Sequence, residues 1–205
     1  MRLRTSLDEA TASFWDDDTC YRALSDGQRE VANYLLTMYK ARKTVNADEE
    51  IPEGLRALVL PVTDSVTSGQ DSDTLPTDFW YDLSVRYNHD NVGSSFPCFR
   101  RDLGRNLYHK QVNTYLTADT SREYYYSITA TEIQFETSAT ATAPYSMWYL
   151  RKVTEIDGST DPILPDMTIE AILKYAFAEL LLKDQRISES AQILQNFTIL
   201  LQGIY

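Results

Sequence analysis

Histidine, cysteine and glycine are scarce in this sequence, and each shortage argues against a class of protein. Only His89 and His109 are present, and neither accompanies the Ser, Cys or carboxylate pattern of a catalytic triad or an HExxH metal motif. Cys20 and Cys98 have no CxxC or Cys/His spacing, which argues against a zinc site or a disulfide framework. The seven glycines form no phosphate-cradling loop. We therefore expect no enzyme, no catalytic residue, no metal and no cofactor.

An excess of positive charge and long apolar runs are missing as well. There are 19 Lys and Arg against 30 Asp and Glu, a net charge of -11. Proteins that grip nucleic acid neutralise its phosphates with clustered cations, so we expect no specific DNA binding. The opening MRLRTSLDEA lacks the apolar segment of a signal peptide, and no run approaches the roughly 20 apolar residues of a membrane span. These features predict a soluble protein, cytosolic when made, without a membrane partner.

Two acidic runs, Asp16 to Asp18 and Asp48 to Glu50, come nearest to a cation site. Neither has the spaced ligands and the turn glycine of a calcium loop. We interpret both as solvated charge beside helices.

What the sequence does contain is enough apolar material for a sizeable core, with 43% hydrophobic and 12% aromatic residues over 205 positions. Helical patterns dominate residues 1–60. Ser6 with Glu9, and Ser25 with Gln28, have the spacing of capping boxes, each before a helix. Apolar residues recur at helical intervals after the second box, which predicts a helix that runs to about residue 43.

The chain then changes character around two prolines. Pro52 favours the first turn of a short helix through Leu58, and Pro61 closes the helical segment. Residues 61–76 are rich in Ser, Thr, Asp and Gly, which predicts a loop.

Strand patterns fill the middle of the chain, in FWYDLSVRY, EYYYSITA, TEIQFET and YSMWYLRKV. In TEIQFET the alternation places Ile133 and Phe135 on one face and Glu132, Gln134 and Glu136 on a solvated one. The run SATATA before a proline predicts a hairpin connection, and FPCFRRDLGRNLYHK a short helix or irregular crossover.

Helices return after Pro162 and Pro165. Asp166 or Thr168 can cap a helix with a wide apolar stripe, which belongs in a core. The stripe consists of Ile169, Ile172, Leu173, Ala176, Phe177, Leu180 and Leu181. A break at residues 184–188 precedes a final helix, and the chain ends in ILLQGIY.

A segment as apolar as ILLQGIY needs another surface to cover it. It can pack on the chain's own core or dock on a partner, and the pattern leaves both interpretations open. A partner interface would consist of Phe197, Ile199, Leu200, Leu201, Ile204 and Tyr205.

The aromatic density of the strands also has two interpretations. Rings in YYY and SMWYL could stack on sugars, as in a carbohydrate-binding or adhesin-type module of a tail or surface. Cross-strand pairing over a half-exposed sheet explains the 14 tyrosines equally well.

Several phrases together resemble a known family. SFWDDDTCYRALSDGQREVANYLLTMYK, LPTDF before the strands and YAFAELLLKD near the end are similar to the head-to-tail adaptor, or neck ring, proteins of tailed phages. The resemblance is to the tail-tubular-A type of short-tailed phages and to the ring proteins of crAss-like phages. The long loop at 61–76 and the Thr-Ala hairpin depart from it, so ring contacts are not transferred residue by residue.

The resemblance implies an α+β fold, a helical bundle built from N- and C-terminal helices with an inserted antiparallel β-rich region. With the periodicity above, the bundle takes residues 1–60 and 160–205, and the loop plus β-rich insertion takes 61–159. It further implies a structural virion protein that forms a twelvefold ring of identical copies at the portal-tail junction. Such a ring connects head to tail, contacts the portal protein and tail or further neck proteins, and lines the DNA exit channel. The expected location is the virion neck, after assembly in the host cytoplasm.

Overall fold

The computed structural model describes residues 15–46, 48–93, 95–102 and 124–204. The chain divides into two compact units, a helical unit of Met1–Leu58 with Val153–Tyr205 and a sheet unit of Val59–Lys152. The helical unit contains α1 (Asp17–Val45), α2 (Glu53–Arg56), a 3-10 turn (Asp166–Thr168), α3 (Ile169–Lys183) and α4 (Ile187–Ile204). The sheet unit contains β1 (Val59–Val66), β2 (Ser72–Thr74), β3 (Phe79–Tyr87), β4 (Phe96–Arg100), β5 (Tyr124–Ile128), β6 (Glu132–Phe135) and β7 (Ala143–Arg151).

Helix α1 starts at the acidic run rather than at the predicted capping box. The Asp16 carboxylate accepts a hydrogen bond from the backbone N–H of Thr19 at 2.6 Å. Hydrogen bonds from the side chain of Thr19 and then from its backbone lower the pKa of Asp16. Asp17 and Asp18 follow in the first turn, where the helix dipole favours negative charge. The predicted cap at Ser25 is therefore wrong, although the predicted end near residue 43 is close to the observed end at Val45. The box at residues 6 and 9 lies outside the described residues.

Ser25 and Gln28 are instead buried inside α1, where they hold the segment that leads into the C-terminal helices. The Ser25 hydroxyl accepts from the N–H of Ile156 at 2.8 Å. The Gln28 amide donates to the carbonyl of Thr154 at 2.8 Å and accepts from the N–H of Ile163 at 2.6 Å. These bonds satisfy backbone groups of a segment that has no regular partner strand or helix.

The helical unit is built on α3, which packs against both α1 and α4. The predicted stripe of α3 is confirmed in four of its seven residues, because Ile172, Ala176, Leu180 and Leu181 are buried, and the other three are half-buried. Helix α1 approaches α3 closely at Gly27, where an added Cβ would lie 2.7 Å from the carbonyl oxygen of Ile172. Two observations correct the predicted cap of this helix. A 3-10 turn precedes it, and no side chain caps its first residue.

The seven strands form one mixed sheet in the order β1-β7-β3-β4-β5-β6-β2. The β4–β5 pair is parallel and the other neighbours are antiparallel. The two edge strands, β1 and β2, contact one another, so the sheet is nearly closed like a barrel. Its interior is a core of apolar side chains around the stacked rings of Tyr87 and Phe135, whose centroids are 4.0 Å apart.

The predicted fold class, α+β with a helical bundle and an inserted antiparallel β region, is wrong. The chain is a mixed α/β protein whose strands close into a barrel-like sheet. The sheet includes a parallel pair, so it is not the purely antiparallel region that was predicted, and it buries a core of its own. Strand alternation predicts which residues face a core, but it contains no information on pairing direction or closure.

The predicted loop at 61–76 is also wrong, because β1 and β2 occupy most of it. Both are edge strands, whose exposed sides tolerate polar residues, and this explains their Ser-, Thr- and Asp-rich composition. Pro61 does not end a segment but lies within β1 opposite Trp148, as an edge strand permits. Gly69, with φ +82, makes the turn between the two strands.

The four predicted strands are confirmed as β3, β5, β6 and β7, and Ile133 and Phe135 are buried as expected. Three details differ. Glu136 is buried rather than solvated, beside Arg101 at 3.5 Å. The SATATA segment is no hairpin, because β6 and β7 are not neighbours in the sheet. FPCFR forms strand β4, while the rest of the predicted crossover, from residue 103 on, lies outside the described residues.

Candidate partner-binding surfaces

The outer surface of the sheet carries exposed aromatic side chains on β7 and β4. Trp148 lies opposite Ser84 of β3, and both are exposed while their neighbours Met147 and Val85 are buried. Val85 pairs with Cys98, and one further step in the same antiparallel register sets Ser84 beside Phe99. Trp148 and Phe99, each 50% exposed, therefore stand on either side of a serine.

We call this surface the sheet face and define it as Trp148, Ser84, Phe99, Arg86 and Pro97. Arg86 is the only charged member, and its guanidinium donates to the carbonyl of Ser95 at 2.7 Å. Exposed apolar side chains grouped with so little charge are typical of a surface that another protein covers.

A second charge-poor surface lies on α4. From Ser190 to Ile204 this helix contains no charged residue, in a chain where 24% of the residues are charged. We call its exposed side the α4 face and define it as Ala191, Gln195, Thr198, Ile199 and Gln202. These five residues are all exposed. Ile199 is the large apolar member, and it is 61% exposed.

The opposite side of α4 packs on the helical unit. Phe197 and Leu201 are 6% and 2% exposed, and the Phe197 ring lies 5.3 Å from that of Tyr175 in α3. The helix therefore has one side committed to the core and one side free of charge in solvent.

A comparison with protein families gives these surfaces a context. The family model described as SU10 adaptor protein matches residues 1–204. The chain belongs to the SU10 adaptor protein family. It is thus a phage adaptor, a structural virion component that associates with other head or tail proteins. The match confirms the predicted phage adaptor without distinguishing the tail-tubular-A from the crAss-like type. No curated protein matches the sequence.

The predicted partner interface of the adaptor divides between the two sides of α4. Ile199 is exposed, Leu200 and Ile204 are half-buried, and Tyr205 lies outside the described residues. Phe197 and Leu201 are on the packed side. The sheet face had no sequence signal, because it depends on residues from three strands that meet only in the folded sheet. A Trp, a Ser and a Phe become neighbours there through strand register.

His89 and Cys98, which the sequence analysis considered as possible functional residues, both make contacts within the sheet unit of the adaptor. His89 accepts from or donates to the Tyr124 hydroxyl across 3.1 Å, and its ring packs on the Tyr124 ring. Cys98 is buried, and burial raises the pKa of its thiol to about 12. His109 lies outside the described residues. Among the described ranges, no group of three or more His, Cys, Asp or Glu side chains is arranged to hold a metal ion.

The YYY segment, considered above for sugar stacking, is used within the sheet. Tyr124 stacks on Phe96 at 5.4 Å between centroids, and the guanidinium of Arg101 covers the Tyr125 ring at 3.3 Å. Tyr126 is buried and donates its hydroxyl proton to Asp82 at 2.6 Å. These contacts favour the cross-strand interpretation over carbohydrate binding.

Among the helices of the described ranges, none combines enough length with enough apolar character to span a membrane.

Proposed function

We propose that copies of this adaptor form a closed ring at the junction of portal and tail, which connects head to tail and lines the channel for DNA. A ring subunit needs two different surfaces for its two neighbours, since a heterologous contact closes when the rotation closes. The sheet face and the α4 face are two unlike, charge-poor surfaces on one chain. Their presence in a member of an adaptor family is the observation that carries the proposal.

Further partners follow from this position in the virion neck. The portal protein lies on one side of the ring and tail or further neck proteins on the other, and assembly takes place in the host cytoplasm. The number of copies, twelve, comes from the family resemblance. A net charge of -11 suits a channel, because DNA slides past a surface that does not neutralise its phosphates.

The C-terminal helix supplies one contact of the ring. Ile199, together with Leu200, Ile204 and Tyr205 of the same sequence segment, docks on the portal or on a neighbouring copy. Phe197 and Leu201 support this surface from the packed side of α4. Burial of apolar area there contributes roughly 25 cal/mol per Å² covered.

The test measures the mass of the purified chain alone and with its portal protein, followed by imaging of any ring. Removing residues 199–205 would delete the buried Leu201, so the variant of choice is Ile199→Asp. It should abolish ring formation or portal docking while thermal unfolding of the monomer stays nearly unchanged. Asn33→Asp, which adds the same charge to an exposed position of α1, should assemble normally. A wild-type chain that stays a monomer both alone and with the portal protein would refute the ring.

A further inference from the structure

Resting on the proposed ring, we infer that the α4 face of one copy packs on the sheet face of the next copy. Ile199 then lies above Ser84, between Trp148 and Phe99. This assignment names the neighbouring copy, rather than the portal, as the occupant of both surfaces.

The shape of the sheet face fits a helix. Trp148 and Phe99 are separated by the intervening strand β3, so they stand two strand spacings apart, about 9.5 Å. Between them the small Ser84 forms the floor of a trough. A helix is about 10 Å across with its side chains, so one ridge of α4 can enter this trough while the rings contact its sides.

Both surfaces can be buried with little loss of charge solvation, because they contain few charged residues. Covering an unpaired charge is strongly unfavourable, and charged residues are accordingly depleted at the centres of interfaces. The α4 face contains no charge from Ser190 onward, and the sheet face contains only Arg86. The large apolar side chains of each surface therefore meet no buried charge other than one arginine.

That arginine complements the end of α4. Helices α1 and α3 carry basic residues in their last turns, whereas α4 has none, so the partial negative charge of its carboxyl end is unbalanced within the helix. From Ile199 to Ile204 the helix advances about 7.5 Å. From Ser84 to Arg86 the strand advances about 6.7 Å. With Ile199 above Ser84 and α4 along β3, the carboxyl end of α4 therefore lies above Arg86.

Because the two surfaces differ, each copy offers one half of two separate contacts. The test uses this asymmetry through cysteine pairs, in a Cys20→Ser background that keeps the buried Cys98. Ser84→Cys and Ile199→Cys are combined in one chain, and each is also made alone. Mild oxidation follows under the conditions in which the wild type assembles, alone or with the portal protein.

The double variant should give a ladder of disulfide-linked dimers, trimers and larger species. An equal mixture of the two single variants should give dimers only, and each single variant alone should give none. Dimers from Ile199→Cys alone would show that α4 packs on α4 and would overturn the inference. Ring-sized assemblies without an 84–199 cross-link would overturn it too, while leaving the proposed ring intact. Absence of any assembly would refute the ring itself.

Charge reversal gives a second readout of the same contact. Arg86→Glu should weaken self-association roughly tenfold, the effect expected when a favourable charge at a helix end is reversed. Arg29→Glu, the same change at an exposed position on α1, serves as the control and should leave assembly unchanged. Equal assembly of wild type and Arg86→Glu at low salt would contradict the placement of α4 over Arg86.

Discussion

Three tyrosines of the sheet unit donate hydrogen bonds to aspartates that lie far away in sequence. Tyr126, Tyr145 and Tyr149 donate their hydroxyl protons to Asp82, Asp73 and Asp78 at 2.6, 3.0 and 3.0 Å. A buried phenol brings a polar end that needs a partner, and these bonds supply it without breaking the strand ladder. Asp82 also pairs with Arg100, so its carboxylate is compensated although it is only 5% exposed.

Burial sets the ionisation of these phenols. It raises the pKa of Tyr126 and of Tyr145 well above the ordinary value of 10, and the neighbouring aspartates raise both further. Burial likewise raises the pKa of Tyr87. In each case the folded state favours the protonated phenol.

Alkaline solutions should therefore destabilise the fold. Below pH 10 these tyrosines are neutral in both states; above it the unfolded chain loses protons that the folded chain retains. The free energy of unfolding should fall by up to about 1.4 kcal/mol per pH unit for each of Tyr87, Tyr126 and Tyr145. Denaturant titrations between pH 8 and 11, with phenolate absorbance as a second signal, measure this. Tyr126→Phe should reduce the slope by one group's share. Simultaneous ionisation of all 14 tyrosines in the folded protein would contradict the argument.

At the scale of the elements, α1 shows how tertiary contacts reassign residues that have local signals. Ser25 and Gln28 have capping-box spacing, yet the helix begins at Asp17 after the cap Asp16, and both residues bind the segment at 154–163. Gly27 between them would weaken an isolated helix. In the folded protein its missing side chain is what lets the α3 backbone approach.

Gly27→Ala should consequently destabilise the protein despite the better helix propensity of alanine. The higher helix propensity of alanine stabilises the folded protein by about 1 kcal/mol, whereas overpacking typically destabilises it by about 1–3 kcal/mol. Here the added methyl group would overlap the carbonyl oxygen of Ile172, which belongs to the backbone. Thermal unfolding of both proteins gives the sign. Gly203→Ala is the matched control, since nothing lies within 4 Å of its added Cβ, and it should not lower Tm. A higher Tm for Gly27→Ala would show that α1 and α3 can move apart freely.

At the scale of the whole molecule, the net charge distinguishes a protein that binds DNA from one that lets DNA slide past it. A protein that holds DNA releases counterions through many Lys and Arg contacts, and its affinity falls steeply with salt. This chain has 11 more acidic than basic side chains, and the exposed surfaces described above are poor in cations. In the proposed ring, this charge balance would let DNA pass without being retained.

The assembled adaptor should show no measurable binding to duplex DNA near physiological salt. Fluorescence anisotropy of a labelled duplex of about 20 base pairs measures this, with a basic DNA-binding protein as the positive control. Micromolar or tighter binding with a steep salt dependence would contradict a channel that DNA slides through.

Local patterns predicted much of the fold at the level of single elements. The long helix, the four aromatic strands and the buried stripe of α3 are visible because burial of one side leaves a period of 3.6 or 2 in the sequence. The edge strands β1 and β2 were missed because exposure on one side lets polar residues replace that period.

Of the two candidate partner-binding surfaces, the sequence indicated one and not the other. Ile199 was among the six residues predicted for an interface, because the apolar run ILLQGIY is a local feature of the sequence. The trough of Trp148, Ser84 and Phe99 could not, because it exists only once β7, β3 and β4 are in register.

By itself, then, the sequence determined the acidic charge, the shortage of histidine and cysteine, and the elements with strong hydrophobic periods. These depend on composition and on neighbours within a few residues. Only the tertiary structure decided that the strands close into a mixed barrel-like sheet and that Ser25 and Gln28 serve a distant segment. It also decided which apolar side chains remain exposed, because strand pairing and helix packing join residues that chain order keeps apart.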